Sequence, residues 1–274
     1  MTTEVCVDWS EVAANWTRMS DQVEQMKAAV TERLLADAGP LAGRRVLELG
    51  AGTGSLAVRI AELVRPGGSL LASDVADGMV DAIRHTVADR PAVEVTRIDA
   101  NAIPLDADSF DVVVFRMGLM LLPDPEPALT EIRRVLRADG VFAAAVWGGP
   151  QDNPWLTTVG MAAMMHGLVQ GGPPVGPGGP FSLADPVDLE KRVRGAGFSD
   201  VTVSVIDAVR HFASPDEHFD TVATLSPPLA AAIAAATDVQ RAMMRETVAG
   251  LTAQYRDADG LHLPLRALVA IARP

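Results

Sequence analysis

The stretch Val46-Leu47-Glu48-Leu49-Gly50-Ala51-Gly52-Thr53-Gly54-Ser55-Leu56-Ala57 decides the fold. It begins as an apolar strand, ends as a helix, and places three glycines in the turn between them. Glycine lets the backbone bend through positive φ and lets a ligand approach where a Cβ would otherwise stand. The spacing is G-x-G-x-G. A dinucleotide-binding turn reads G-x-G-x-x-G, and the position that would need its last glycine is Ser55. Glu48 ends the strand where the ligand would sit, so its charge opposes a pyrophosphate and favours a cation.

S-adenosylmethionine, with its ammonium and sulfonium groups, is such a cation. The segment resembles the first motif of the class I S-adenosylmethionine-dependent methyltransferases, and the next segments keep the order of that family. An apolar run from Ser69 ends at Asp74, where an acid at a strand tip accepts hydrogen bonds from ribose hydroxyls. The competing role, capping the following helix, falls better to Asp77. A third strand from Val93 leads to Asp99, Ala100 and Asn101, and a fourth runs from Phe110 or Asp111 to Arg116. The resemblance gives Asp99 the adenine amino group; a surface turn would also tolerate Asp-Ala-Asn. The helix that follows carries Leu129, Ile132 and Leu136 on one face and Arg133, Arg134 and Arg137 late, with Gly140 as its stop.

Residues 44–147 thus resemble the ubiquinone/menaquinone-biosynthesis-type branch of small-molecule methyltransferases. The resemblance implies an α/β fold, a doubly wound, Rossmann-like sheet of seven mostly parallel strands with an antiparallel last strand, N-terminal helices and helical insertions. It implies S-adenosylmethionine as cofactor and S-adenosylhomocysteine as product. The cofactor set it implies is Glu48, Gly50, Ala51, Gly52, Gly54, Asp74, Val75, Met79, Asp99, Ala100 and Asn101, with Arg116, Trp16 and Arg18 as further contacts. Met79 could equally be a packing residue, packing is the stronger alternative for Trp16, and Arg116 could equally sit in a structural ion pair. Arg18 is a candidate partner of the methionine carboxylate.

Composition bounds the rest. A chain of 274 residues with 49% hydrophobic residues can build a sizeable core, and it reads as one methyltransferase domain, residues 1–274. Within it, 1–40 is a helical cap, 44–147 the cofactor-binding core, and 148–185 and 214–258 helical or lid insertions. The net charge of −12, from 23 basic against 35 acidic residues, opposes a nucleic-acid partner. No apolar run is long enough to cross a membrane, and MTTEVCVDW lacks the pattern of a signal peptide, so a cytoplasmic location is expected. A single cysteine, Cys6, gives neither a disulfide nor a cysteine-built zinc site. No catalytic metal is expected, since Arg116, Met117 and Gly118 rather than oxygen ligands follow the fourth strand.

The acceptor side is less determined. Residues 8–38 read as two helices, the second with Val23, Met26, Val30 and Leu34 along one stripe. Met161, Met164 and Met165 make a methionine-rich helix that either moulds to an apolar acceptor or fills core. The glycine-proline stretch 171–180 is a lid edge or a passive linker. Met117, Met120, Trp147, Trp155 and Met164 are the expected walls of a pocket for a small, largely apolar or aromatic acceptor. Methyl transfer from a sulfonium needs alignment more than side-chain chemistry, so no catalytic residue is assigned; His166 and His211 are the weak candidates for a base. The rival functions are a dehydrogenase, disfavoured by Glu48 and Ser55, and an S-adenosylmethionine-binding scaffold repurposed for cyclisation or for non-enzymatic binding. The oligomeric state is open.

Overall fold

The computed structural model describes residues 9–274, so Cys6 lies outside the described residues. In chain order the elements are α1 (Trp9–Arg18), α2 (Ser20–Ala38), β1 (Arg45–Leu49), α3 (Ser55–Leu63), β2 (Ser69–Asp74), α4 (Asp77–Thr86), β3 (Val93–Arg97) and β4 (Phe110–Arg116). There follow α5 (Glu126–Val135), β5 (Leu136–Trp147), α6 (Pro154–Met165), α7 (Pro186–Gly195), β6 (Ser199–Phe212), α8 (Pro215–Leu225), α9 (Pro227–Ala235), α10 (Asp238–Thr252) and β7 (Leu261–Arg273). The central strands are buried on both faces, which is why they read as continuous apolar runs. Their order is β3-β2-β1-β4-β5-β7-β6, and only β7 runs against the others.

The sheet is uneven at its carboxyl end, where open parallel sheets bind ligands. Pairing of β5 with β7 stops at Trp147 and Ala267, whereas β6 and β7 stay paired out to Phe212 and Leu261. A two-stranded ribbon therefore projects past the end of β5, on the side of the glycine turn. Helix α8 packs on β6 and α6 on β7, and α10 packs on both helices, forming a roof. Ser214 caps α8 by accepting from the Glu217 amide at 3.1 Å, with Pro215 in the first turn, as its sequence leads one to expect.

Helix α2 lays its stripe of Val23, Met26, Val30 and Leu34 into the main core. Helix α1 is different. It docks on α4 through a separate apolar island of Ala13, Ala76 and Met79, edged by Trp9 and Trp16.

Three boundaries differ from the sequence reading. Helix α5 ends at Val135, so Leu136 and Arg137 are extended and Gly140 lies within β5. Strand pairing of Leu136 with Phe110, and the ion pair of Arg137 with Asp111 at 2.5 Å, outweigh the glycine stop signal. Asp77 is not the cap of α4: Ala76 holds that place, and Asp77 faces Arg97 at 3.5 Å. Strand β6, which the sequence pattern carries from about Val201 to Val209, continues to Phe212 and so holds His211 inside it.

Candidate functional site

The turn after β1 is held by two contacts. Ala51 donates its amide to the Ser73 carbonyl at 2.8 Å, and Gly52 donates to Asp74 Oδ2 at 3.0 Å. Gly50, Gly52 and Gly54 all have positive φ, at 59°, 60° and 84°. They serve different ends. A Cβ on Gly50 would come within 2.9 Å of the Phe115 ring and one on Gly54 within 3.2 Å of the Ile83 backbone, whereas nothing lies within 4 Å of the Cβ position at Gly52. Gly52 is thus the point of open approach.

Asp74 accepts from Gly52 and, through Oδ1, from the Ala76 amide at 3.1 Å. Burial raises its pKa against these backbone donors. Val75 is exposed beside it, and Met79 is buried in the α1 island. Asp99 is exposed and accepts from the Asn101 amide at 2.9 Å; Ala100 is buried. Asn101 Oδ1 and Trp16 Nε1 are both buried without a partner among the described residues.

Under the turn lies a charged cluster. Glu48 is buried, and its Oε2 has no partner among the described residues. Burial pushes its carboxyl up to about 8. Arg116 is buried and donates to Glu24 Oε1 at 2.7 Å and Thr31 Oγ1 at 2.6 Å, so it sits in an ion pair with α2. Burial alone would raise Glu24, but the hydrogen bond and charge of Arg116 hold its carboxyl well below the usual range. Ser55, at the start of α3, also donates to Glu24 at 2.9 Å. Lys27 completes the cluster by charge rather than contact: burial lowers its ammonium to about 7, Arg116 lowers it further, and Glu24 and Glu48 oppose this. Among the described residues no hydrogen bond or ion pair holds it.

Arg18 lies outside this cluster. It is exposed and donates to Asn15 on its own helix, and Lys27 of α2, rather than Arg18, shares the cluster with Glu48.

On the other side, Met117 follows β4 with φ +62°, a strained conformation for a long side chain, while its amide donates to the Ala145 carbonyl at 2.8 Å. Trp147 and Trp155 are buried and meet edge to face at 5.3 Å, and Met120 is buried with its sulfur accepting from the Trp147 amide at 3.3 Å. Asn153 pins this corner. Its amide donates to the carbonyls of Gly148, Gly149 and Arg266 at 3.0 to 3.2 Å, and its Oδ1 accepts from Trp155 Nε1 and the Arg266 amide. Met164 stands apart from that cluster, 39% exposed on α6 beside Met161 and Met165. Of segment 171–180, residues 171–177 are exposed, and Gly178 lies against Leu121 and Pro123.

His166 ties α6 to Thr247 of α10 at 2.8 Å, and His211 is exposed, against the Asp259 carbonyl and the His262 ring. Both are engaged away from the cluster. Sequence reasoning missed Glu24, Lys27, Arg210 and His218, each of which reads as an ordinary helix or strand residue. Among the described residues no group of histidine, cysteine and acidic side chains could hold a metal ion. Nor is any helix among them long and apolar enough to cross a membrane.

The family model described as "Methyltransferase domain" matches residues 47–144. A demethylmenaquinone methyltransferase of Clavibacter sepedonicus is 33% identical over 151 residues, which cover 54% of this chain and 59% of that protein. A ubiquinone/menaquinone biosynthesis C-methyltransferase of Hahella chejuensis is 32% identical over 148 residues, covering 53% of this chain and 59% of that one. The chain thus spans about three fifths of the length of these curated relatives. In fold it is similar to an S-adenosylmethionine-dependent methyltransferase from Aquifex aeolicus, with a TM-score of 0.54 and 21% identity over 73% of this chain and 93% of that one. Residues 47–144 thus match a methyltransferase domain, and through it the chain is similar to methyltransferases of the ubiquinone/menaquinone-biosynthesis type and shares the fold of an S-adenosylmethionine-dependent methyltransferase.

Proposed function

We propose that this chain transfers a methyl group from S-adenosylmethionine to a small, largely apolar or aromatic acceptor, in bacterial specialised or cofactor metabolism. The observation that carries the reading is the pair Glu48 and Lys27. One is a buried carboxyl with an oxygen unpartnered among the described residues, the other an ammonium that no hydrogen bond or ion pair among them holds, and the cluster lies beside a turn open at Gly52. An amino-acid zwitterion supplies the complement of both: its ammonium goes to Glu48 and its carboxylate to Lys27. Asp74 would take the ribose hydroxyls, and Asp99 with Asn101 the adenine edge. The cofactor supplies an electrophilic methyl group, and the protein aligns the acceptor behind it and keeps water out.

The proton count of cofactor binding tests this. In the free protein burial drives both groups towards neutrality, Glu48 titrating near 8 and Lys27 near 7. A bound zwitterion pulls both to their charged forms, so Glu48 releases a proton and Lys27 takes one up. Calorimetry of S-adenosylhomocysteine binding at about pH 7.5, in buffers of different ionisation enthalpy, should find these nearly cancelling. Glu48→Gln leaves net uptake and Lys27→Met leaves net release. Variants with no opposite-signed change would remove the zwitterion assignment, and a wild-type protein that fails to bind S-adenosylhomocysteine would remove the function.

A further inference from the structure

Behind Trp155 the roof holds two more unpaired polar atoms. His218 has no exposed surface, and its Nε2 lies 2.6 Å from the Trp155 carbonyl oxygen. A carbonyl only accepts, so Nε2 carries the hydrogen and Nδ1 is left as a bare acceptor. That Nδ1 is buried with no partner among the described residues. Arg210 Nε is a buried donor in the same state. Both side chains lie against Phe212: the Arg210 guanidinium is 4.8 Å and the His218 ring 4.9 Å from the centre of its ring. An orphaned buried polar atom costs free energy, and here a donor and an acceptor flank one aromatic ring.

Two chains of contact place this stack over the carboxyl ends of β4 and β5. Arg210 donates to the carbonyl of Gln22, two residues before Glu24, which holds Arg116 at the end of β4. His218 holds Trp155, which packs on Trp147 at the end of β5. Helix α8, which carries His218, also touches α1. The stack thus hangs between the cofactor side and the roof, outside the matched segment 47–144.

We propose that Arg210, Phe212 and His218 form the polar anchor of the acceptor site, with His218 Nδ1 accepting a hydrogen bond from an acceptor hydroxyl or N–H and Arg210 Nε donating to a neighbouring oxygen. The proposal rests on the methyltransferase reading for its acceptor. His218 titrates near 4 because burial disfavours its charged form, so it orients the hydroxyl and leaves the proton on it.

Two probes of matched ring, 1-naphthol and naphthalene, test the anchor on the protein with and without saturating S-adenosylhomocysteine. Wild type should bind naphthol roughly tenfold more tightly than naphthalene, and His218→Phe should bind the two alike while keeping its affinity for S-adenosylhomocysteine. Naphthol, but not naphthalene, should also shift the Nδ1 nitrogen resonance of His218 in wild type, a readout that stands even if His218→Phe does not fold. Equal binding of both probes to wild type, which is what a water bridging the two orphan atoms would give, overturns the proposal. So does a preference for naphthol that survives in His218→Phe, or an unmoved Nδ1 resonance. Failure of S-adenosylhomocysteine to bind strikes the methyltransferase reading alone, because the naphthol preference is also read on the free protein.

Discussion

At the glycine turn the path of the chain is fixed by backbone: three positive-φ glycines, an amide on a neighbouring strand and another on Asp74. In the roof the path is fixed by side chains, above all by Asn153, whose amide group bridges the end of β5, the start of α6 and strand β7. The difference teaches where variation can enter. A backbone-built half presents the same groups whatever side chains surround it, and so suits a constant cofactor. A side-chain-built half changes its lining with single substitutions, and so suits an acceptor that differs between relatives.

The contrast can be broken most forcefully at its two keystones. Asn153→Ala deletes a buried residue with five hydrogen bonds and strands several backbone groups; unfolding should become easier by about 3 to 5 kcal/mol, measured by denaturant melts. S-adenosylhomocysteine affinity in the protein that remains folded should stay near wild type, and a parallel loss of affinity would erase the division into halves. Gly50→Ala is the counterpart. Its methyl would press on the buried Phe115 ring at a left-handed φ, costing about 2 to 4 kcal/mol, and here cofactor affinity should fall together with stability.

Met117 sits at the seam between the halves. Met117→Gly relieves the left-handed strain and should raise stability by about 1 kcal/mol while slowing methyl transfer, because the side chain at the end of β4 is lost. A stabilised variant with undiminished turnover would show that the strain carries no function. The smallest effect belongs to Met164→Ala on the outer face of α6, within about 0.5 kcal/mol in stability and with no change in cofactor affinity. A large drop in turnover there would return Met164 to the acceptor wall.

These two halves were also unequally legible in the sequence. The turn after β1 announces itself because glycine spacing, Glu48 and the flanking apolar runs are local signals. The roof does not. Whether α6 turns its methionines inward depends on what α10 covers, and no pattern within twelve residues records that. Arg137 and Gly140 looked like a helix end because the competing pairing of Leu136 with Phe110 comes from a strand 26 residues earlier. Lys27 and His218 carry no sequence mark at all; each matters because folding sets it beside particular neighbours, Lys27 half-buried and His218 with no exposed surface. Arg18 differs in kind, since its guanidinium bonds Asn15 three residues earlier on the same helix.

The separate island under α1 has a kinetic consequence. Its contacts with α4 comprise three small or medium buried groups and two half-buried tryptophans, with Gly78 admitting Ser10 so closely that a Cβ there would lie 2.8 Å from the Ser10 carbonyl. None of these residues except Trp16 belongs to the main core or packs on it. Detaching α1 therefore leaves the main core and the sheet intact, so the opening rate of the first helix is decoupled from global unfolding.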